Sequence, residues 1–280
     1  MRSGDGAAAG GPRERRRSTD RMKIVVCVKY VPDAQGDRRF ADDATVDRAG
    51  TDGILSELDE YAVEEALKLA EADGDSTVTV LTVGPDGATD AIRKALQMGA
   101  SDGVHVLDDA LHGSDALGTS LVLAKALEKL GPDLVLTGMA STDGGMSVVP
   151  AMVAERLGLP QVTFAGSLTV DGGTVRIERE GDTSTEVVES TLPALVSVTD
   201  QINDPRYPSF KGIMAAKKKP VQTWSLADLG VDPSAVGLAA SWSAVDAVTA
   251  RPPRQAGQVV TDDGEGGRKL VEFLAGAKLV

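Results

Sequence analysis

Over its first half the chain alternates short apolar runs with amphipathic stretches of helical length. Lys23 to Tyr30, KIVVCVKY, is β-branched and stopped by Pro32, which predicts a strand buried on both faces. The polar, glycine-containing segment Asp33 to Ile54 is expected to be a long loop leaving that strand's carboxyl end, with a small strand around Ala44 to Val46. Past Ser56, the positions Leu58, Ala62, Ala66, Leu69 and Ala70 recur at helical spacing. Asp59 stands where a capping acid belongs, and Gly74 ends the pattern. The rhythm repeats as strand Ser76 to Val83, turn Gly84-Pro85, helix Ala88 to Met98, strand Val104 to Leu107, helix Asp115 to Leu130 and a strand from Leu134. Such strand–helix pairs predict a doubly wound, mostly parallel α/β sheet with right-handed crossovers.

The fourth strand leads into LVLTGMASTDGGMSVVP, Leu134 to Pro150. After Gly138 come Met139, Ala140, Ser141, Thr142, Asp143, Gly144, Gly145, Met146 and Ser147, and a helical pattern restarts with Val148, Val149, Met152, Val153 and Leu157. Strand, glycine-rich turn and helix together aim free backbone N–H groups and the positive end of a helix dipole at one spot, where phosphate is stabilised. The same glycines also serve a plain turn, and both readings stand on this local signal. A G-x-x-x-x-G-K-[ST] loop is missing, which favours binding without hydrolysis. Asp143 is either a general base or, with more weight, a carboxylate that caps the helix or bonds loop amides. If the first and fourth strands are neighbours, Cys27 to Tyr30 and Gly138 to Asp143 flank one crevice, with Ser56 to Asp59 and Val83-Gly84 nearby.

After Gly158 the rhythm changes. Gln161 to Val170, Thr174 to Arg179, Thr185 to Thr191 and Leu195 to Val198 predict an antiparallel ribbon on the sheet edge, with Asp171-Gly172-Gly173 as a hairpin turn. From Thr199 to Val280 little core is expected, only a short helical pattern from Lys269 to Leu274, so this stretch reads as an arm lying on a partner. The expected organisation is a tail over 1–21, a nucleotide-binding domain over 22–199, and a recognition loop and arm over 200–280. Within the last, Phe210, Ile213 and Met214 fall in a loop bounded by proline and glycine, and Lys217, Lys218 and Lys219 form a basic run. Either the loop folds on its own domain, or it docks an acidic partner through an aromatic anchor and steering charges.

A net charge of -13 argues against nucleic acid as a partner. A single cysteine, Cys27, permits no internal disulfide and points to a reducing cytoplasm; inside an apolar strand it reads as a packed side chain rather than a nucleophile. His105 and His112 show no metal-ligand spacing, and no apolar run reaches the roughly 20 residues of a membrane span. The pairs Glu64 with Glu65 and Asp108 with Asp109 read as solvated faces. No catalytic constellation emerges, which favours binding over catalysis.

From Met22 to Val280 the chain resembles the β subunit of electron-transfer flavoproteins. SELDEYAVEEALKL from Ser56, VRIEREGDTSTEVVESTLPALVSV from Val175 and DPRYPSFKGIMAAKKKP from Asp204 carry the likeness in the family's order. The resemblance implies a heterodimer in which an α subunit holds most of an FAD and this subunit holds a structural AMP. By position, the AMP site falls on Cys27, on Ser56, Glu57, Leu58 and Asp59, on Val83, and on Gly138 to Val149. Phe210 takes the place of an apolar anchor, usually leucine, that inserts into acyl-CoA and other flavin dehydrogenases of fatty-acid β-oxidation, with Lys217 to Lys219 behind it. Electrons then pass toward the respiratory chain. Arg251-Pro252-Pro253-Arg254 falls in the arm that embraces the α subunit.

Two positions depart from the family pattern. Ala34 stands where an aromatic often approaches the flavin, and Gly145 to Val149 does not follow the Asp-Thr-Ala-Gln pattern of relatives that carry a second FAD in place of AMP. AMP is therefore favoured, with a second FAD open through Asp143-Gly144. An ATP-using hydrolase would need a Ser-Gly-Gly-x-Asp-Ser-like loop where the chain reads Lys29-Tyr30-Val31-Pro32-Asp33.

Overall fold

The computed structural model describes residues 21–36, 39–249, 252–253, 257 and 259–280. The expected tail, save Arg21, and Arg251 and Arg254 of the arm lie outside the described residues. Two compact units divide after Asp246. In the first, the opening apolar run breaks into β1 (Lys23–Cys27) and β2 (Tyr30–Pro32), and β2 pairs antiparallel with β3 (Gly53–Leu55). The expected single strand to Tyr30 is thus two. The small strand expected near Ala44 to Val46 is a lone bridge between Phe40 and Val46.

The alternation that follows is α1 (Glu57–Asp73), β4 (Thr77–Val83), α2 (Thr89–Met98), β5 (Asp102–Val106), α3 (Ala116–Leu130), β6 (Leu134–Gly138) and α4 (Val149–Leu157). Next come β7 (Gln161–Ala165), β8 (Ser167–Asp171), β9 (Thr174–Glu180), β10 (Thr185–Thr191), β11 (Ala194–Val198), α5 (Phe210–Ala216) and β12 (Val221–Trp224). Among the described residues, one seven-stranded sheet has the order β12-β5-β4-β1-β6-β11-β7. Every neighbouring pair in it is parallel.

Successive residues of a strand face opposite sides, and each side has its own helical cover. Ile24, Val26, Leu134, Leu136 and Val196 pack with Ala62 and Ala66 of α1 and Ile92 and Ala95 of α2. Val25, Val135 and Leu195 pack with Val122 and Leu127 of α3 and Val153 and Ala154 of α4. Burial on both faces is why the strands read as unbroken apolar runs. The chain winds outward from β1 through β4 to β5 and then crosses back to place β6 on β1's other side. The winding therefore reverses between β1 and β6, the first and fourth strands of the expected crevice.

The ribbon is smaller than expected. Only β8, β9 and β10 form the antiparallel sheet, whereas β11 is inserted between β6 and β7 with all five residues buried. A run of five apolar or small residues carries no strand-partner information, so periodicity could not separate these outcomes. The segment Gln161 to Val170 is likewise two strands. Phe164 takes a positive φ of 61°, its N–H donates to Ser197 Oγ at 3.0 Å, and the β7 register shifts opposite Val196 to Val198. The kink hands the chain from one sheet to the other.

The stretch after Thr199 contributes more core than expected. β12 extends the main sheet beside β5, and Leu226, Val231 and Val236 are buried against the α3 side. Lys129 lies 4.2 Å over the Trp224 ring, fastening the edge strand to α3. These apolar positions are spaced singly among prolines, so no period announced them. The second unit carries α6 (Gly266–Gly276), which spans the expected Lys269 to Leu274 and exposes Leu270, Val271 and Phe273. Among the described residues no helix is long and apolar enough to cross a membrane.

Candidate functional site

At the carboxyl ends of β1 and β6 the first turn of α1 is driven against the sheet. Gly138 makes the approach possible: a Cβ there would stand 2.6 Å from Asp59 Oδ1 and 2.8 Å from the Leu58 carbonyl. Asp59 accepts the Lys29 backbone N–H at 2.8 Å with Oδ2 and the Gly138 N–H at 3.2 Å with Oδ1. One buried carboxylate thus ties both strand ends together. Burial pushes its carboxyl up to about 7, against the pull of those two amides and of the Lys29 charge. Asp59 is therefore no helix cap, as spacing had suggested. Ser56 at the start of α1 makes no side-chain cap either, although its N–H donates to the Lys29 carbonyl at 2.9 Å.

Two hydroxyls here are buried without a hydrogen-bond partner, Ser56 Oγ and Thr137 Oγ1 on β6. A buried hydroxyl left alone costs about 1–3 kcal/mol, and these two lie before the first turn of α1 and near the end of β6. Cys27 is the register partner of Thr137, and Cys27 and Val83 pack against the same side of the sheet, the one covered by α3 and α4. The Cys27 thiol is pushed up to about 12 by burial and by the Asp59 charge, which leaves it an unreactive packed group.

The glycine-rich loop runs from Met139 to Val148. Gly145 N–H closes on the Ser141 carbonyl at 2.9 Å, and Gly144, Gly145 and Met146 are exposed. Asp143 accepts Lys29 Nζ at 2.8 Å, Arg48 Nη2 at 2.6 Å and the Gly144 N–H at 2.7 Å, while Lys29 Nζ also reaches Ser141 Oγ at 3.4 Å. Burial opposes its charge, yet Lys29 and Arg48 hold its carboxyl well below the usual range. Asp143 bonds a loop amide and leaves the helix alone: α4 opens at Val149 behind Val148, with no side-chain cap and with Pro150 in its first turn. An uncapped helix start and two cations bridged by Asp143 lie at the winding reversal, while the N–H groups of Gly138, Gly144 and Gly145 are bonded within the chain.

Sequence reasoning missed Arg48 and Thr137, and it put Lys29 at the crevice, within Cys27 to Tyr30, without giving it a role. Arg48 sits in an aperiodic loop and is fixed by tertiary contacts, including Nη1 to the Tyr30 carbonyl at 3.0 Å. His105 is buried between Thr89 Oγ1 and the Gly84 carbonyl, a structural role. The open depressions lined by Met22, Lys23, Thr77 and Asp133, and by Leu67, Gly74, Ser76 and Ser101, lie at the opposite ends of the strands.

A second group of sequence candidates lies on the α2 side. Phe210, Ile213 and Met214 are on helix α5 rather than in a loop, started by Ser209, whose Oγ accepts the Gly212 N–H at 3.0 Å. Phe210 is 81% exposed. The lysine run divides: Lys217 and Lys218 are exposed, while Lys219 Nζ donates to the Leu96 carbonyl at 2.9 Å and burial lowers its pKa. Glu64 and Glu65 are buried, not solvated. Arg206 Nε pairs with Glu64 at 2.7 Å, and Glu65 accepts from Lys68 and Asn203. Asp108 also turns inward, accepting the N–H groups of Ala110 and Leu226 at 3.1 and 3.2 Å.

The electron transfer flavoprotein domain family matches residues 43–229. The electron transfer flavoprotein subunit beta of Mycobacterium tuberculosis is 50% identical over 263 residues, covering 92% of this chain and 99% of that one. The subunit beta of Megasphaera elsdenii is 35% identical over 270 residues, 92% of this chain and 100% of that one. The caffeyl-CoA reductase-Etf complex subunit CarD of Acetobacterium woodii is 34% identical over 241 residues, 86% and 92% of the two. With the parallel sheet, the reversal between β1 and β6 and the loop beyond it in place, this chain belongs to the electron transfer flavoprotein family, among its β subunits.

Proposed function

We propose that this chain is the β subunit of a heterodimeric electron carrier, that it holds AMP as a structural ligand, and that it presents α5 to flavin dehydrogenases. The observation that supports nucleotide binding best is the pair of orphaned hydroxyls, Ser56 Oγ and Thr137 Oγ1, beside the glycine-rich loop. In this reading the turn from Gly138 to Val149 and the uncapped start of α4 face the phosphate, Lys29 and Arg48, bridged by Asp143, supply positive charge, and Cys27 and Val83 line the side toward α3 and α4. Ser56, Glu57, Leu58 and Asp59 close the crevice from the start of α1. An FAD held mainly by the α subunit supplies the redox chemistry when bound. This chain's share is binding, electrostatics and approach to the donor: Phe210 anchors, Ile213 and Met214 surround it, and Lys217 and Lys218 steer an acidic surface, with Lys219 fixing the base.

Mass spectrometry of nucleotides released from the purified heterodimer tests the reading. One AMP and one FAD per heterodimer are expected. Two FAD and no AMP would replace the structural nucleotide by a second flavin, and no adenine nucleotide beyond the one FAD would remove the cradle.

A further inference from the structure

We propose that Arg206, through its ion pairs with Glu64 and Glu71 of α1, is the positioning residue that holds α5 in the orientation in which it meets a dehydrogenase; this rests on the docking reading above. Arg206 Nε and Nη2 donate to Glu64 Oε2 and Oε1 at 2.7 and 2.9 Å, and the Arg206 backbone N–H adds a bond to Oε2 at 3.1 Å. The same guanidinium bonds both oxygens of Glu71, two helical turns further along α1. The Glu64 side chain is 8% exposed, so its charge is sustained by this partner and not by water. Planar, two-pronged geometry fixes an angle as well as a distance, which a lysine cannot do.

Further pins surround the helix. Before it, Asn203 Nδ2 donates to the Tyr61 carbonyl at 3.1 Å and to Glu65 Oε2 at 3.0 Å. Within it, Gly212 lies so close to the end of α2 that a Cβ would stand 2.4 Å from the Gln97 carbonyl. After it, Lys219 is bonded to the Leu96 carbonyl at 2.9 Å. Between these fixed points Tyr207, Phe210 and Met214 are left 91%, 81% and 48% exposed. Three apolar side chains on a segment pinned on both flanks form a preorganised finger, not a loose loop. The ordering cost that a mobile loop would meet at each encounter is met in advance by α1 and α2. α1 thereby serves both regions, with Asp59 in its first turn at the crevice and Glu64 and Glu71 beneath the finger.

The test uses the heterodimer, with the flavoprotein as the varied substrate of a flavin-dependent acyl-CoA dehydrogenase. Arg206→Ala should raise KM about tenfold while kcat stays within about twofold, since the finger must then be ordered on binding. Arg206→Lys, which keeps charge but not the fork, should fall between. Amide exchange over 207–219 should quicken in both, with nucleotide content unchanged. Glu71→Gln, at the exposed half of the cluster, is the variant that keeps the fold, and a smaller KM rise is expected from it. An unchanged KM with quickened exchange would overturn the inference. So would KM, kcat and melting temperature moving together with Arg206→Lys no better than Arg206→Ala, the mark of a merely structural pair. Phe210→Ala separates the two levels: if it leaves KM unchanged, the docking reading fails, and if it raises KM while the Arg206 variants do not, only the positioning role fails.

Discussion

The crevice at β1 and β6 and the finger at α5 both hang on α1, yet they use carboxylates in opposite ways. Asp59 is buried and faces backbone amides, so its charge is poorly compensated and its pKa climbs to about 7. Glu64 is as deeply buried but faces a guanidinium with two matched donors, and it anchors a segment whose own apolar side chains point outward. The crevice leaves two buried hydroxyls, Ser56 Oγ and Thr137 Oγ1, without a partner, and the finger is held by ion pairs beneath exposed apolar side chains. On the proposed reading the first arrangement receives a small molecule and the second meets a protein.

The sharpest way to break the crevice side of this contrast is Gly138→Val. A Cβ is already only 2.6 Å from Asp59 Oδ1 and 2.8 Å from the Leu58 carbonyl, one of them main chain, so the first turn of α1 must retreat. Overpacking of this kind costs about 1–3 kcal/mol or more, and chemical denaturation of the heterodimer together with its nucleotide content should register it. Asp59→Ala comes next. It leaves the Lys29 and Gly138 amides without acceptors, at about 1–3 kcal/mol each, partly offset because a strained buried charge is removed.

Asp59 also has a pH signature. Its folded pKa of about 7 lies above the ordinary 3.8, so the native state holds more protons between these values. Its contribution to stability is greatest at the acidic end of that window and declines as pH rises through it. Asp59→Asn should flatten this part of the stability curve, seen as a wild-type minus variant difference that stops changing above about pH 7. Asp143 has the opposite sign. Its depressed carboxyl stabilises above the usual carboxylate range and is lost only as pH falls through its low folded value. Lys29 and Arg48 are partly solvated, so Asp143→Ala should cost about 1 kcal/mol. Its larger effect is expected on nucleotide retention, since the loop loses the bridge between its two cations.

Much of this was legible in the sequence. The sheet's two-sided burial gave unbroken apolar strands, and glycine punctuation gave the helices their ends, so the doubly wound core and the loop from Gly138 to Val149 could be read directly. β11 could be read as a strand, but not its place in the sheet, and β12 could not be read at all. Both are short and join strands far away in sequence, and their place is decided by which sheet edge or gap accepts them. The chemistry of the crevice was half legible. Gly138 and Asp143 stand inside a recognisable strand, turn and helix, whereas Arg48 reaches Asp143 across 95 positions from a loop without period. Glu64 and Glu65 misled for a related reason: adjacent acids in a helix look solvated until Arg206 and Asn203, more than 130 positions on, are seen to cover them.

The smallest expected change in stability sharpens the finger side. Phe210 is 81% exposed at the start of α5, where Ser209 and not the aromatic ring makes the cap, so its truncation removes little buried area. Phe210→Ala should shift the denaturation midpoint by no more than about 0.5 kcal/mol, the range of ordinary surface substitutions. The same change should raise KM with the dehydrogenase, because an exposed aromatic on a pinned segment contributes only when a partner covers it. A loss of stability comparable to Asp59→Ala would mean that Phe210 is packed on its own subunit, and the division between a region built to receive a ligand and one built to meet a protein would not hold.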